Sequence, residues 1–288
     1  MSQEQRMINT IVNEFRNAVI FERDDEVALF RALASSIVNH SKSIFIDETH
    51  GTRCKVTFDS VKGWQETCEI ADLLIISHLP LDGTVRATFW QAKKQSTSKW
   101  LKVPHSFNHL DFKGKVNQWD LLSRRPALSP NASTCKGFTP PSDLLSSSFP
   151  SIGTFGVFYQ KDGQIEIAHS IAEFIGCLSP GNKSSTLLIN GFLDKYCYCC
   201  HEVITRSSLY SFLEALFEGK IGALLAPTQY AHRWLAQMAR AKITAKTLDS
   251  TNVQFLNDFL GSHRADNDIG RDHWPGLSIL VVGELSEG

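Results

Sequence analysis

The feature that most constrains the fold is a pair of apolar stretches on either side of an Asp-Gly dipeptide. Residues 71–77 read Ala-Asp-Leu-Leu-Ile-Ile-Ser, and residues 88–94 read Thr-Phe-Trp-Gln-Ala-Lys-Lys. Asp-Gly between two apolar runs is a strong signal for a tight hairpin turn, and here it occupies positions 82 and 83. The two stretches therefore predict neighbouring antiparallel β-strands.

Polar side chains gather at the open end of this predicted hairpin. If the turn is the two-residue Asp-Gly pair, Asp72 lies opposite Lys93, and Gln91 follows on the same face because side chains alternate along a strand. A longer loop that starts at Pro80 pairs Asp72 with Gln91 instead. In either register, a carboxylate and an amide oxygen suit Mg²⁺ or Mn²⁺, and the nearby ammonium can stabilise developing negative charge.

This arrangement resembles the PD-(D/E)XK nuclease superfamily, which has the restriction-endonuclease-like fold. The likeness is to its Gln-x-Lys variant, as in the methyl-directed type IV restriction endonucleases, with Asp72 followed by Gln91-Ala92-Lys93 and roughly residues 20–125 covered. Two departures from the majority pattern are Ala71, where a proline is usual, and Gln91 in place of a second acid. The resemblance implies a Mg²⁺-dependent endonuclease acting on double-stranded DNA, in microbial restriction or antiviral defence.

Two further acids are candidates to complete the metal site. Glu26 shares a predicted helix face with Phe30, Leu33 and Ile37, and a carboxylate at the edge of a buried stripe needs a partner. In the resembled fold, the first helix often supplies such a glutamate. Glu48 ends the first predicted strand and is the alternative. We prefer Glu26, so the predicted metal ligands are Asp72, Gln91 and Glu26, and the wider catalytic set adds Lys93 and Glu48.

The spacing of apolar residues predicts the remaining elements and an α/β fold, in which a central mixed β-sheet is flanked by helices. Strands are expected at 43–47, 53–58, 68–77, 85–93, 154–160, 164–169 and 277–283. Helices are expected at 8–19, from Asp24 or Asp25 to 38, and at 117–124, 209–217, 229–242 and 253–260, with Arg233, Arg240 and Lys242 exposed on the fifth.

Composition changes along the chain divide it into three regions. Residues 1–130 carry the predicted nuclease core, and residues 131–150 are part of a stretch rich in Ser, Pro and Thr that indicates a loop or linker. Residues 151–288 are an α/β extension without a recognisable motif, which either extends the sheet or forms a second module.

Nucleic-acid contacts are expected directly after the predicted catalytic strand. Residues 99–125 are basic with interleaved aromatic residues, and Lys94, Lys99 and Lys102 are the candidates for phosphate contacts. A net charge of −1 argues against general polyanion binding, so local clusters must supply the attraction. A homodimer or a partner subunit is compatible with this interpretation. The rival hypotheses are an inactive binding or scaffold protein and a nuclease subunit switched on by a partner or ligand.

Overall composition and cysteine usage predict a globular cytoplasmic protein. Apolar residues make up 42% of the chain and charged residues 20%, which is enough to bury a sizeable core. The first residues do not read as a secretory signal, and no apolar run is long enough to span a bilayer, so no membrane contact is expected. Seven cysteines in such a chain indicate free thiols in a reducing compartment.

Other chemistries have weaker support in the sequence. Cys197, Cys199, Cys200 and His201 lack the paired spacing of structural zinc sites and are better interpreted as part of a buried strand. The chain has no Gly-x-Ser-x-Gly elbow and no Gly-rich phosphate loop, which disfavours nucleotide hydrolysis. A Ser-His-Asp arrangement stays open, since the chain contains ten histidines and many serines.

Overall fold

The computed structural model describes residues 1–48, 55–79, 84–95, 101–102, 108–131, 139–190, 194–197, 202–246, 254–261 and 277–285. Its helices are α1 Gln3–Ala18, α2 Glu26–Asn39, α3 Val116–Arg124, α4 Leu209–Phe217, α5 Tyr230–Lys246 and α6 Gln254–Leu260. Its strands are β1 Ile44–Ile46, β2 Lys55–Asp59, β3 Gln65–Glu69, β4 Leu73–Leu79, β5 Thr84–Lys94, β6 Leu101–Lys102, β7 Asn108–Lys115, β8 Ser129–Pro130, β9 Gly153–Lys161, β10 Gln164–Ile171, β11 Ile175–Cys177, β12 Ser184–Asn190, β13 Lys195–Cys197, β14 Glu202–Arg206, β15 Ala223–Leu224 and β16 Ser278–Val282.

A large mixed sheet organises the molecule. Its order is β1-β16-β4-β5-β9-β10-β14-β13, with β15 paired to β5. The pairs β16–β4 and β5–β9 are parallel, whereas β4–β5 and β9–β10 are antiparallel. Two smaller sheets, β11-β12-β7-β6 and β3-β2-β8, lie outside it. The fold is α/β with a mixed sheet flanked by helices, which confirms the predicted class.

The two faces of the large sheet are covered by different elements. On β4, Leu73 and Ile75 pack with α1, α2 and α4, whereas Leu74 and Ile76 pack with α5, α6 and the smaller sheets. This alternation is what a strand buried on both faces requires. On β5, Trp90 belongs to the first of these faces, so the alternate residues Gln91 and Lys93 lie on the second, beneath β7.

The register of the β4–β5 hairpin is the longer-loop alternative. Leu73 pairs with Trp90, and Leu79 pairs with Thr84, so Asp72 continues the pairing opposite Gln91. The expectation that Asp72 lies opposite Lys93 is therefore wrong. The predicted Asp-Gly turn falls at positions outside the described residues.

Strands from residues 151–288 lie in the same sheet as strands from residues 1–130. Strand β9 pairs with β5, and β16 is inserted between β1 and β4. The C-terminal region was expected either to extend the sheet or to form a second module. These strands extend the sheet. The second predicted hairpin forms β9 and β10, where Asp162 and Gly163 both have positive φ, as a tight hairpin turn requires.

Two local expectations are corrected by the structure. The single strand predicted at 68–77 is two strands in two different sheets, because β3 ends at Glu69 and β4 begins at Leu73. Lys242, expected to be exposed on α5, is 4% exposed and donates a hydrogen bond to the carbonyl of Leu277. None of the described helices is both long and apolar enough to cross a membrane.

Glycine at position 156 allows β9 to pack closely beside β5. A Cβ there would overlap the indole ring of Trp90, which is 1% exposed. We expect Gly156→Ala to lower the free energy of unfolding by about 2–3 kcal/mol, because the surrounding core has no room for an added methyl group. Gly181→Ala is the matched control, since nothing lies within 4 Å of the added Cβ. Urea unfolding of both variants checks this; equal stability would contradict the packing.

From the burial of His169 in β10 we expect the protein to lose folding stability in acid. It is fully buried, neither ring nitrogen has a hydrogen-bond partner, and burial lowers its pKa to about 3. An unfolded histidine titrates near 6.5, so between these values the unfolded chain binds the extra proton, and the free energy of unfolding falls as pH falls. Relative to wild type, His169→Phe should flatten this slope by up to about 1.4 kcal/mol per pH unit. Unfolding measured between pH 6.5 and 4.5 tests this, and parallel curves would refute it.

Candidate active site

Asp72 is fixed at the open end of the hairpin by two hydrogen bonds. It immediately precedes β4, and its Oδ2 accepts hydrogen bonds from the Ala92 backbone N–H, at 2.9 Å, and from the Gln91 side-chain nitrogen. Both donors belong to β5, so the strand pairing itself orients the carboxylate. Asp72 and Gln91 are therefore in direct contact, as the longer-loop register predicts.

The amide of Gln91 leaves one polar atom without a partner. The side chain is 1% exposed, and its nitrogen donates to Asp72, which turns its oxygen away from that carboxylate. The Oε1 atom is buried and makes no hydrogen bond. An unsatisfied buried acceptor costs about 1–3 kcal/mol, so this oxygen is a candidate contact for a ligand.

The Lys93 ammonium lies on the same face of the sheet as Gln91 and interacts electrostatically with Asp72. Burial lowers the pKa of Lys93, and the carboxylates of Asp72 and Glu26 partly offset this. Burial likewise raises the pKa of Asp72, and the Lys93 charge opposes that rise. Among the described residues, Lys93 makes no direct ion pair with a carboxylate. Burial thus disfavours the charged forms of both the acid and the base at this site.

Three more charged groups reach this edge of the sheet. Glu26 is the first residue of α2, which is capped by the Asp25 side chain, and its charge acts on both Asp72 and Lys93. The Lys115 charge acts on the same two residues, and Glu69 acts on Lys93. The sequence reasoning missed Lys115 and Glu69. Lys115 lies in the basic stretch 99–125, and Glu69 lies three residues before Asp72, but the prediction of one continuous strand concealed the position of Glu69.

Glu48 makes its contacts elsewhere along the same sheet edge. Its Oε1 lies 3.5 Å from the Lys242 ammonium and 3.9 Å from that of Lys246. Its backbone nitrogen donates to Ser278 Oγ at 3.2 Å, next to the start of β16. Of the two candidate acids, Glu26 is the one whose charge acts on the Asp72–Lys93 pair.

The predicted phosphate contacts are only partly described. Lys94 lies on the opposite face of β5 from Lys93; its ammonium donates to the Asp24 carbonyl at 2.9 Å and sits 4.7 Å from the centre of the Phe21 ring. The structure therefore does not bring Lys94 to the candidate site. Lys99 lies outside the described residues, and for Lys102 the structure gives only its place in β6.

The oxygen donors at this edge are of the type that a hard divalent cation takes, but few of them are charged. Within the described ranges, no group of three or more His, Cys, Asp and Glu side chains is arranged to hold a metal ion. A metal ion here would depend on Asp72, Glu26 and the unpaired oxygen of Gln91, completed by water. Oxygen donors with retained water suit Mg²⁺ or Mn²⁺. Of the predicted cysteine-rich strand, Cys199, Cys200 and His201 lie outside the described residues.

A Ser–His contact elsewhere in the structure has its hydrogen bond in the wrong direction for nucleophilic catalysis. His232 Nδ1 accepts a hydrogen bond from the Ala226 N–H at 2.8 Å, so in the neutral ring the proton is on Nε2. Nε2 lies 2.7 Å from Ser148 Oγ and therefore donates to it. A general base must accept the serine proton, so this pair instead anchors the Ser-rich segment to α5.

Comparison of the chain with protein-family models, with curated proteins and with solved structures finds no match. The functional argument therefore rests on the residues at this edge of the sheet.

We expect one Mg²⁺ or Mn²⁺ ion to bind per chain and Asp72→Ala to abolish binding, because Asp72 contributes the hairpin's own negative charge. Gln91→Glu should tighten binding, since it adds a second carboxylate. Glu26→Gln should weaken binding about tenfold, whereas the isosteric Glu48→Gln should leave it unchanged. Calorimetry on the four variants measures this. Equal metal binding by wild type and Asp72→Ala would refute the assignment. If Glu48→Gln weakens binding and Glu26→Gln does not, Glu48 is the third ligand.

Proposed function

We propose that this protein is a metal-dependent nuclease that hydrolyses phosphodiester bonds in DNA. The observation that carries the proposal is the buried, unpaired amide oxygen of Gln91, a residue that donates through its side-chain nitrogen to Asp72 and shares a sheet face with Lys93. The arrangement resembles the Gln-x-Lys variant of the PD-(D/E)XK nucleases. A cytoplasmic role in restriction or antiviral defence is part of the same proposal.

Each residue has a separate task in the proposed reaction. Asp72, Gln91 and Glu26 would hold the cation, which supplies Lewis-acid stabilisation of the charge that develops on the phosphate. The Asp72 carboxylate is already oriented by the Gln91 side chain and the Ala92 backbone, whereas the Gln91 amide would have to turn to bring its oxygen to the same cation as that carboxylate. Water would attack phosphorus and give up a proton to solvent as the bond to the leaving oxygen breaks, and the leaving oxygen would take a proton from solvent.

In the proposed reaction, Lys93 acts on the transition state. Its ammonium makes no direct ion pair with a described carboxylate, so it could contact a phosphate oxygen or the attacking water. Burial already lowers its pKa, which means that its hydration is reduced before substrate arrives. A desolvated cation gains more from the extra negative charge of the phosphorane than from the ground-state phosphate.

A second candidate function is a binding protein that keeps this architecture without cleaving. Within the described residues, the lack of a three-acid metal group favours it. The neutral Gln91 amide would then contribute recognition only.

We expect Lys93→Ala to reduce the cleavage rate by about 100- to 1,000-fold while changing DNA affinity little, because its contact strengthens only as charge builds on the phosphate. The control is Lys220→Ala, a surface lysine whose ammonium pairs with Glu218 at 2.8 Å. Single-turnover cleavage of plasmid and linear DNA with Mg²⁺, Mn²⁺ or EDTA measures the rate, and fluorescence anisotropy in EDTA measures affinity.

The outcomes separate the two functions. Metal-dependent cutting by wild type and by Lys220→Ala, but not by Lys93→Ala, supports the nuclease. If wild type cuts no single- or double-stranded DNA or RNA with either metal, the nuclease proposal is wrong, and the binding function takes its place.

A further inference from the structure

A third polar side chain continues the row formed by Gln91 and Lys93. Gln95 directly follows β5, and its backbone N–H donates to the Phe158 carbonyl at 2.9 Å, so it extends the pairing with β9. Because side chains alternate along an extended chain, Gln95 lies on the same face as Gln91 and Lys93. It is 2% exposed, which is unusual for a glutamine next to two lysines.

The orientation of the Gln95 amide is fixed by its neighbour on β7. Its nitrogen donates to the Asp111 backbone carbonyl at 2.9 Å and lies 3.4 Å from Asp111 Oδ1. Both partners only accept hydrogen bonds, so turning the amide over would set its oxygen against two acceptors. The oxygen therefore faces away from Asp111, and this buried Oε1 has no hydrogen-bond partner. Lys93 is thus flanked along the strand by two glutamines, each with an unmet buried acceptor.

The two unmet oxygens differ in their surroundings and therefore in the ligand they suit. The Gln91 oxygen shares its edge with the carboxylates of Asp72 and Glu26, a setting that attracts a cation. The Asp111 carboxylate contacts the nitrogen end of the Gln95 amide. A single neutral amide oxygen is a poor metal ligand, but it is a good acceptor for a neutral N–H or O–H group.

The phosphodiester backbone of DNA offers no such donor, because its phosphate and deoxyribose oxygens only accept within the chain. The donors on a nucleotide are base N–H groups, above all the exocyclic amines, and in RNA the ribose 2′-hydroxyl. We propose that Gln95 is a specificity residue that accepts a hydrogen bond from a hydroxyl or amine donor on the nucleotide beside the cleaved phosphate. This inference rests on the proposed nuclease function and adds a substrate requirement to it.

The test compares matched oligonucleotides that differ only in the donor. One arm uses a DNA strand and the same strand with single ribonucleotides placed along it. The other arm replaces guanine by hypoxanthine or adenine by purine, which removes the exocyclic amine. Wild type should bind the donor-bearing member of one arm about tenfold more tightly in EDTA, and the arm that responds identifies the donor. Gln95→Met, which keeps the volume but lacks the amide, should reduce this preference to less than twofold.

The readouts separate a recognition role from a structural one and from the nuclease chemistry. A structural role for Gln95 would lower the thermal stability of Gln95→Met but leave the donor preference intact, and that result overturns the inference. If wild type shows no preference for the donor-bearing oligonucleotides, that result alone overturns the inference. Binding is measured in EDTA by anisotropy, so the donor preference can succeed or fail independently of metal-dependent cutting, which tests the proposed nuclease itself.

Discussion

The candidate site depends on one packing constraint, the position of Trp90 in the core. Its ring lies against the backbone of β9 at Gly156 and packs with Phe158 and Phe212, with centroid distances of 6.1 and 6.4 Å. A slip of one residue in β5 would turn this large side chain to the other face of the sheet. A shift of two residues, which is the difference between the two predicted registers, would keep the face but move the ring from Gly156 to a residue that carries a side chain. The packing of Trp90 therefore helps to set which residue meets Asp72.

Apolar patterning predicted the helices and most strands of the large sheet, because these elements carry their own local signals, but it did not predict β7, β11, β12 and β14. The α2 helix begins where an aspartate caps it, since Asp25 accepts from the Ala28 N–H at 2.8 Å, and α4 is closed by Gly219 at φ 62°. The break between β3 and β4 has no such signal: the apolar run simply continues through Ile70 and Ala71, which are both buried. Only the assignment of the strands to different sheets, a long-range property, separates them.

The site was predictable in part for the same reason. Asp72, Gln91 and Lys93 are linked through one hairpin, so their neighbourhood follows from local pairing. The exact register does not follow from local pairing. An Asp-Gly turn and a longer loop differ little in sequence, and the packing of the core decides between them. The burial of Lys242 beside Glu48 joins residues that are far apart in the chain, and no periodicity reveals such a pair. Glu69 and Lys115 approach Lys93 from a different sheet and from the start of α3, so their contribution also needed the tertiary structure.

The insertion of β16 between β1 and β4 makes one side of the sheet late to assemble during synthesis. A ribosome releases β1 and β4 long before Ser278 emerges, and until then these two strands each present an unpaired edge. Closing the sheet requires a contact between distant parts of the chain, which is slow and exposes apolar strands to aggregation. Unless chaperones shield those edges, cells that make the protein quickly should accumulate it in inclusion bodies, and slower translation should favour the folded form.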